Sequence, residues 1–141
     1  MNSATRQTLQ PDVNEPTIKC GTATLGRQLR IELHIEKPHS EPIRVSLSHR
    51  MIIGRADDSH SDIDINVGAY EAAQKGVSRR HAALEVVSKT LMVSDLNSTN
   101  GTFINGQRIP VGNRRVVRDG DELLLGNLLI HIFFARPIPE W

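Results

Sequence analysis

Four short polar motifs contain most of the side chains in this sequence that suit the binding of an anion. In chain order they are Gly54-Arg55, residues 77–81, residues 95–102 and Asn105-Gly106. Arginine is a planar donor of several hydrogen bonds, serine and threonine carry compact hydroxyl donors, and asparagine both donates and accepts. A phosphorylated side chain presents three acceptor oxygens and about −1.5 to −2 charges, so these donors match the chemistry of a phosphate on a peptide.

Each candidate side chain has a distinct role in such a site. Arg55 follows a predicted strand and would donate charge-assisted hydrogen bonds to phosphate oxygens. Ser78 and Thr99 would add hydroxyl donors from two further loops, and Asn100 can pair with both the N–H and the C=O of a peptide main chain. A solvated surface arginine and residues that only build local turns remain the structural alternatives at this point.

In their order and spacing, the four motifs resemble the pattern of the forkhead-associated (FHA) domain over roughly residues 23–136. An Asp119-Gly120-Asp121 turn and Gly126 continue the likeness. The resemblance implies an all-β domain that binds phosphothreonine peptides and has no catalytic activity. The expected partner is therefore a phosphothreonine-containing protein or peptide, with a Ser/Thr kinase acting upstream.

The resemblance also assigns roles to the candidate ligand-binding residues. Arg55, Ser78 and Thr99 would face the phosphate, and Asn100 would face the main chain of the ligand. Arg79 follows Ser78 in the same loop and would lie near the phosphate through its backbone or side chain.

Five other motif residues are expected to be structural: Gly54, His81, Gly101, Asn105 and Gly106. The glycines and the asparagine would adopt backbone conformations that other residues disfavour. The resemblance makes His81, at the start of a predicted strand, a scaffold residue that forms hydrogen bonds within the loops.

A serine and a histidine close together in sequence also raise the alternative of hydrolase chemistry. Ser78 and His81 are three positions apart, so in a strand their side chains would tend to opposite faces. A Gly-x-Ser-x-Gly nucleophile motif is absent. We therefore expect no catalytic residues.

The acidic residues and histidines lack the spacing of a metal site. Asp57, Asp58, Asp62 and Asp64 do not follow the EF-hand pattern, and we interpret them as a solvated acidic turn. The six histidines are scattered, and Cys20 is the single cysteine. We expect neither a metal nor a cofactor.

Charge and hydropathy argue against nucleic acid and membrane partners. The formal net charge is +1 and aromatic residues make up 4% of the chain. The basic residues Arg114, Arg115 and Arg118 lack the interleaved aromatics of a nucleic-acid surface and are interpreted as a solvated turn. No apolar run reaches the ~20 residues that span a bilayer, and we expect a cytoplasmic protein.

Alternating apolar residues predict the strands that would position these loops. Leu29, Ile31, Leu33 and Ile35 alternate with polar residues, which is typical of a strand with one buried face. Further strands are predicted at 43–47, 51–53, 63–65, 82–87, 90–93, 102–104, 116–117, 122–125 and 128–134. With Gly and Asn turns between them and no long helix, we expect an antiparallel β-sandwich of about eleven short strands, whose loops at one end form the binding site.

The segment between Ile65 and Ser78 is longer than in compact members of the resembled family. The pattern from Tyr70 to Lys75 predicts one or two helical turns that end at Gly76. This 66–77 loop would lie beside the peptide groove or form a separate protein-binding surface, and the sequence leaves both open.

We divide the chain into a flexible N-terminal tail over residues 1–22, an FHA domain over 23–136 and a short C-terminal tail over 137–141. Two alternatives to a phosphothreonine adaptor stay open. One is a phosphate-independent interaction or assembly module. The other is self-regulation, in which a phosphorylated tail occupies the groove of its own or a neighbouring molecule; the tail carries Thr5, Thr8 and Thr17.

Overall fold

Eleven short strands form two sheets in a computed structural model, which describes residues 30–57 and 62–135. The strands are β1 (Arg30–Ile35), β2 (Ile43–Ser46), β3 (Met51–Gly54), β4 (Ile65–Asn66), β5 (Ala82–Val87), β6 (Thr90–Asp95), β7 (Thr102–Ile104), β8 (Gln107–Arg108), β9 (Arg114–Val116), β10 (Glu122–Leu125) and β11 (Leu128–Phe134). The predicted all-β sandwich is confirmed.

One sheet has six strands in the order β2-β1-β11-β10-β7-β8, and the other has five in the order β4-β3-β5-β6-β9. Neighbouring strands are antiparallel except for the two-residue β4, which runs parallel to β3. The core lies between the sheets and follows the predicted alternation. In β1, Ile31, Leu33 and Ile35 are buried, while the residues between them are partly exposed. Burying one such aliphatic side chain contributes about 1.5–3 kcal/mol.

The 66–77 loop contains the turn predicted from the sequence and one short helix that was not predicted. The predicted turn is present and ends at Gly76: the Lys75 N–H donates to the Glu71 carbonyl at 3.0 Å, and the Gly76 N–H donates to the Ala73 carbonyl at 3.2 Å. A short 3₁₀ helix, η1 (Gly68–Tyr70), precedes this turn. Glu71 ends this helix because its φ of 59° lies in the left-handed region. Ala72 and Val77 are nevertheless buried in the core, so the loop is anchored to the sandwich directly before the predicted phosphate-binding loop.

Several strands differ in their limits from the prediction, including β4, which covers Ile65–Asn66 rather than 63–65. β8 (Gln107–Arg108) has no counterpart among the predicted strands, because both of its residues are exposed and give no apolar signal. β9 covers Arg114–Val116, whereas the apolar pair Val116–Val117 predicted a strand that starts two residues later and ends one residue later. The basic cluster is therefore partly a strand rather than a turn.

The boundaries of the predicted tails stay predictions, since residues 1–22 and 137–141 lie outside the described residues. The same holds for Thr5, Thr8 and Thr17. Within the ranges that the structure describes, no helix has the length and apolar character needed to cross a membrane.

Candidate functional site

Three loops meet at one end of the sandwich, and Ser78 lies at their junction. Arg55 follows β3, Ser78 precedes β5, and Thr99 belongs to the loop between β6 and β7. The backbone N–H of Arg55 donates to the Ser78 carbonyl at 3.3 Å, and the backbone N–H of Thr99 donates to Ser78 Oγ at 3.1 Å. The structure thus brings residues from all three motifs together.

The Arg55 side chain is partly buried and held in one orientation. Its Nε donates to the Val77 carbonyl at 2.6 Å. This bond uses only one of the five guanidinium donors, which leaves the terminal amino groups to approach an anion. A guanidinium fixed in this way loses less side-chain entropy when it binds a ligand.

Gly54 allows the loop before β5 to pass directly over β3. A Cβ atom at this position would collide with the carbonyl oxygen of Arg79 and approach that of Ser78. Any larger residue would therefore push the Ser78 loop away from Arg55. The structural role expected for Gly54 thus has a local cause, which is the close approach of two backbones.

Ser78 Oγ accepts from Thr99 N–H, so its own hydroxyl proton remains for a ligand. The Thr99 side chain is exposed beside it. Asn100 is exposed too, but its Nδ2 donates to the Gly76 carbonyl at 2.9 Å. One amide donor of Asn100 is therefore used within the protein, which leaves Oδ1 and the second N–H for a ligand.

The two arginines after Ser78 are paired with carboxylates on the neighbouring loop. Arg79 Nε lies 2.7 Å from Asp57 Oδ2, and Arg80 Nε lies 3.2 Å from Asp62 Oδ2. Asp64 Oδ2 accepts from the backbone N–H of Ile52 at 2.8 Å. The acidic turn is thus not simply solvated, as the sequence suggested. Its carboxylates fix the two loops around the candidate site, whereas Asp58 lies outside the described residues.

His81 is fully buried beneath these loops and joins two of them. Its Nδ1 accepts from the Ser78 N–H at 3.0 Å, so the ring carries its proton on Nε2, which donates to the Gly101 carbonyl at 2.8 Å. Burial lowers the pKa of His81, although the Gly101 hydrogen bond and the negative charge of Asp95 partly oppose that shift. The neutral imidazole therefore links the loop of Ser78 to that of Gly101.

Asp95 organises the loop that carries Thr99 and Asn100. Its carboxylate accepts from the hydroxyls of Ser98 at 2.5 Å and Thr102 at 2.6 Å, and from the Ser98 N–H at 3.1 Å. Burial alone would raise the pKa of Asp95, but these hydrogen bonds and the charge interaction with His81 lower it overall. Asp95 received no role from the sequence, although an aspartate three residues before a serine is a recognisable local capping pattern.

The geometry of Ser78 and His81 argues against the hydrolase alternative. The two residues are neighbours, contrary to the expectation for a strand, because Ser78 lies in the loop before β5. The imidazole accepts from the backbone N–H of Ser78 rather than from its hydroxyl. With both ring nitrogens engaged by backbone groups, His81 is not placed to deprotonate Ser78 Oγ.

The remaining structural residues divide between the two ends of the sandwich. Gly101 follows Asn100 at the candidate site with a φ of 92°. Asn105 and Gly106 form the hairpin between β7 and β8, at the far end of β7 from that site. In the described ranges no group of three or more His, Cys, Asp or Glu side chains is arranged to hold a metal ion.

Residues 51–126 match the family model of the FHA domain. The chain belongs to the FHA domain family. The matched residues span β3 to the end of β10 and include all three loops of the candidate site. FHA domains are binding modules, in agreement with the resemblance noted from the motifs.

Two curated relatives and one solved structure illustrate the similarity. Protein FraH of Nostoc sp. is 32% identical over 94 residues, which cover 67% of this chain and 32% of FraH. The FHA domain-containing protein FhaA of Mycobacterium tuberculosis is 36% identical over 76 residues, which cover 54% of this chain and 12% of FhaA. This FHA domain therefore spans about a third or less of these relatives.

The solved structure comes from work on phosphothreonine-dependent FHA domain interactions. It is 26% identical, with a TM-score of 0.60, and the match covers 77% of this chain and 99% of that one. The likeness thus extends over nearly the whole of that domain.

Proposed function

We propose that this chain is a phosphothreonine-peptide-binding adaptor in Ser/Thr kinase signalling, without catalytic activity of its own. The observation that supports this most directly is that the four candidate residues meet at one end of the sandwich. Arg55 and Thr99 each form a hydrogen bond with Ser78, and Asn100 bonds to Gly76 in the same loop as Ser78. The solved FHA domain at 26% identity belongs to a study of phosphothreonine-dependent interactions, which favours the same ligand class.

The donors match the ligand in number and charge. Arg55 would supply charge-assisted hydrogen bonds to the phosphate, and the hydroxyls of Ser78 and Thr99 would satisfy further oxygens. Asn100 would then hold the peptide main chain through Oδ1 and its remaining N–H. The protein would act by recruitment, with a kinase upstream and a cytoplasmic location.

The decisive experiment is titration of a phosphothreonine peptide library against the wild-type chain, with phosphoserine and unphosphorylated peptides as controls. We expect binding that requires the phosphothreonine. The variant Arg55→Ala should bind roughly 10- to 100-fold more weakly, because a hydrogen bond to a charged group contributes about 1.5–3 kcal/mol.

Arg44→Ala is the matched control, since Arg44 lies on β2 of the other sheet and its side chain is 68% exposed. Wild-type affinity in Arg55→Ala would refute the assignment of the phosphate site. Binding that does not depend on phosphate would instead favour the assembly module.

A further inference from the structure

A two-residue turn, Gly126-Asn127, joins β10 to β11 beside the candidate site. The flanking residues Leu125 and Leu128 are paired across the hairpin and buried in the core, so the turn is fixed at the end of the sheet. Of its two residues only Gly126 has a positive φ, 60°, which is typical of a type II′ turn with glycine first. We call it the β10–β11 turn. It belongs to none of the three loops that carry the candidate ligand-binding residues.

Two adjacent backbone N–H groups of the β10–β11 turn bond to both neighbouring loops. The Gly126 N–H donates to the Gly101 carbonyl, in the loop between β6 and β7, at 3.0 Å. The Asn127 N–H donates to the Lys75 carbonyl, in the 66–77 loop, at 2.8 Å. A turn that is anchored in the core thus holds these two loops at a set distance from each other.

Asn100 connects the same two loops through its side chain. It directly precedes Gly101, and its Nδ2 donates to the carbonyl of Gly76, the residue after Lys75. The chain and three hydrogen bonds therefore form a closed ring, whose members are Gly126, Gly101, Asn100, Gly76, Lys75 and Asn127. A displacement of the turn strains the bond of Asn100, because it is the only one of the three that a side chain makes.

The ring leaves no room for a side chain at two of its glycines. A Cβ atom at Gly126 would lie 2.7 Å from the carbonyl oxygens of Lys75 and Gly76. A Cβ atom at Gly76, whose φ is 81°, would lie 2.5 Å from Asn100 Nδ2. Both distances are far shorter than the ~3.5 Å of an ordinary van der Waals contact. The turn therefore packs directly on the 66–77 loop, and that loop packs directly on the Asn100 amide.

The Gly101 carbonyl connects the ring to the buried part of the site. It accepts from the Gly126 N–H and also, at 2.8 Å, from Nε2 of His81. A carbonyl oxygen has two lone pairs, so it accepts both bonds at once. His81 accepts in turn from the Ser78 N–H. Ser78 is therefore fixed by the buried histidine, whereas Asn100, which is exposed, depends on the ring.

We propose that Gly126 and Asn127 are positioning residues of the binding site, which hold the Asn100 side chain in the orientation that receives the main chain of the ligand. They act through the backbone contacts of the ring and do not touch the ligand. This inference rests on the proposed function, in which Asn100 pairs with the peptide main chain. It adds a fourth loop to the three that carry the ligand-binding side chains.

The test is a double-mutant cycle on the affinity for one phosphothreonine peptide, measured by isothermal titration. Gly126→Ala should weaken binding about three- to tenfold, because it misplaces the hydrogen bonds of one side-chain amide. In an Asn100→Ala background the same change should have no further effect, since residues that act through one another are not additive. In an Arg79→Ala background it should still weaken binding by the full factor.

Gly106→Ala is the matched control. Gly106 has a positive φ of 85° and open space around its Cβ position, and it lies in the β7–β8 hairpin at the far end of β7. It should keep wild-type affinity although it carries a similar backbone strain. Thermal unfolding checks that both variants fold. If Gly126→Ala does not fold, Asn127→Pro removes the N–H that bonds to Lys75 and should give the same pattern.

A second measurement compares the free proteins by NMR. The side-chain amide resonances of Asn100 should shift in Gly126→Ala and stay in place in Gly106→Ala. Hydrogen exchange at the Asn127 N–H should become faster in Gly126→Ala. In the wild type, a bound phosphopeptide should slow that exchange, because the coupling between two sites is reciprocal.

The outcomes separate the two proposals. If no phosphopeptide binds the wild type, the proposed function fails, and the NMR comparison decides whether the turn positions Asn100. If the wild type binds, the positioning role is refuted when Gly126→Ala keeps its affinity or when it loses as much in the Asn100→Ala background as in the wild type. Unchanged Asn100 resonances in Gly126→Ala would also overturn it. If neither turn variant folds, exchange at the Asn127 N–H that does not slow on phosphopeptide binding refutes it.

Discussion

Two aspartate-centred hydrogen-bond networks lie at opposite ends of β7, and they serve different purposes. Asp95 and Asp121 are both buried, with 4% and 7% of their surface exposed. Asp95 fixes the loop between β6 and β7 through Ser98 and Thr102. Asp121 fixes the turn before β10 by accepting from Arg118 N–H at 2.8 Å and from Asn105 Nδ2 at 3.1 Å.

The difference lies in what each network supports. Thr102, Gly101 and Ser98 connect Asp95 to His81 and so to Ser78, which is a candidate ligand residue. Asn105 and Asp121 only connect the β7–β8 hairpin to the start of β10. Local turn chemistry therefore stabilises both ends, but only one end couples stability to the geometry of a binding site.

The largest effect is expected when each aspartate is removed. Asp95→Ala leaves two buried hydroxyls and one N–H without an acceptor, so we expect a loss of about 3 kcal/mol of stability. Asp121→Ala removes two hydrogen bonds, and we expect about 2 kcal/mol. Urea unfolding measures both free energies.

The two aspartate variants should differ in their affinity for a phosphopeptide. Under conditions where both variants are folded, Asp95→Ala should also weaken phosphopeptide affinity, whereas Asp121→Ala should keep it. Equal affinities in the two variants would show that the Asp95 network stabilises the fold without organising the site.

Two glycines allow the two ends of the sandwich to be compared through changes in the backbone. Gly54→Ala should cost about 2 kcal/mol and weaken peptide binding, because the new methyl group would collide with the Arg79 carbonyl. Gly120 has a φ of 90° and open space around its Cβ position, so Gly120→Ala adds only backbone strain of about 1 kcal/mol. Unfolding and titration of both variants check this, and a Gly54→Ala chain with unchanged affinity would contradict it.

Much of the sandwich could be predicted from local patterns. The segment Leu128–Phe134 alternates between buried and partly exposed residues, and its predicted limits match β11. In contrast, β8 has two exposed residues and exists only because it pairs with β7. The turn predicted from Tyr70 to Lys75 forms, since the Lys75 N–H donates to the Glu71 carbonyl at 3.0 Å. The left-handed Glu71 that separates this turn from η1 is not revealed by side-chain patterns.

The candidate site also combines residues that the sequence pointed to with contacts that it could not predict. The types and order of Arg55, Ser78 and Thr99, together with the family resemblance, lead to the prediction of a phosphate site. The contacts between Asp57 and Arg79, and between His81 and Gly101, join residues that are 20 or more positions apart. Such contacts depend on how the loops fold over one another, so spacing alone could not predict them.

An intermediate effect is expected from pH, because the site-end network contains the buried His81. Burial lowers the pKa of His81, so below the ordinary value of 6.5 the unfolded chain binds a proton that the folded chain does not. The contribution of neutral His81 to the free energy of unfolding is fully present above pH 6.5. It is lost as the pH falls from 6.5 toward the lowered pKa of the folded chain. The slope is at most about 1.4 kcal/mol per pH unit.

Urea unfolding between pH 7.5 and 5.0 measures this dependence. The free energy of unfolding should fall more steeply with decreasing pH in the wild type than in His81→Gln. The other histidines are present in both proteins and cancel in the comparison. If His81→Gln does not fold, NMR titration of the His81 ring in the wild type decides the same point. A ring that takes up a proton at or above pH 6.5 in the folded chain would contradict the coupling.

The smallest effect is expected at Arg79, which borders the site but lies outside the buried network. Its side chain is 54% exposed and already paired with Asp57. A phosphate must compete with that carboxylate, so Arg79→Ala should weaken binding by only about 0.5 kcal/mol, roughly twofold, with stability almost unchanged. Isothermal titration beside Arg55→Ala measures the difference. A loss of affinity as large as that of Arg55→Ala would mean that Arg79 leaves Asp57 to bind the phosphate. Exposed side chains would then contribute to phosphopeptide affinity as strongly as the side chains that the hydrogen-bond network holds in place.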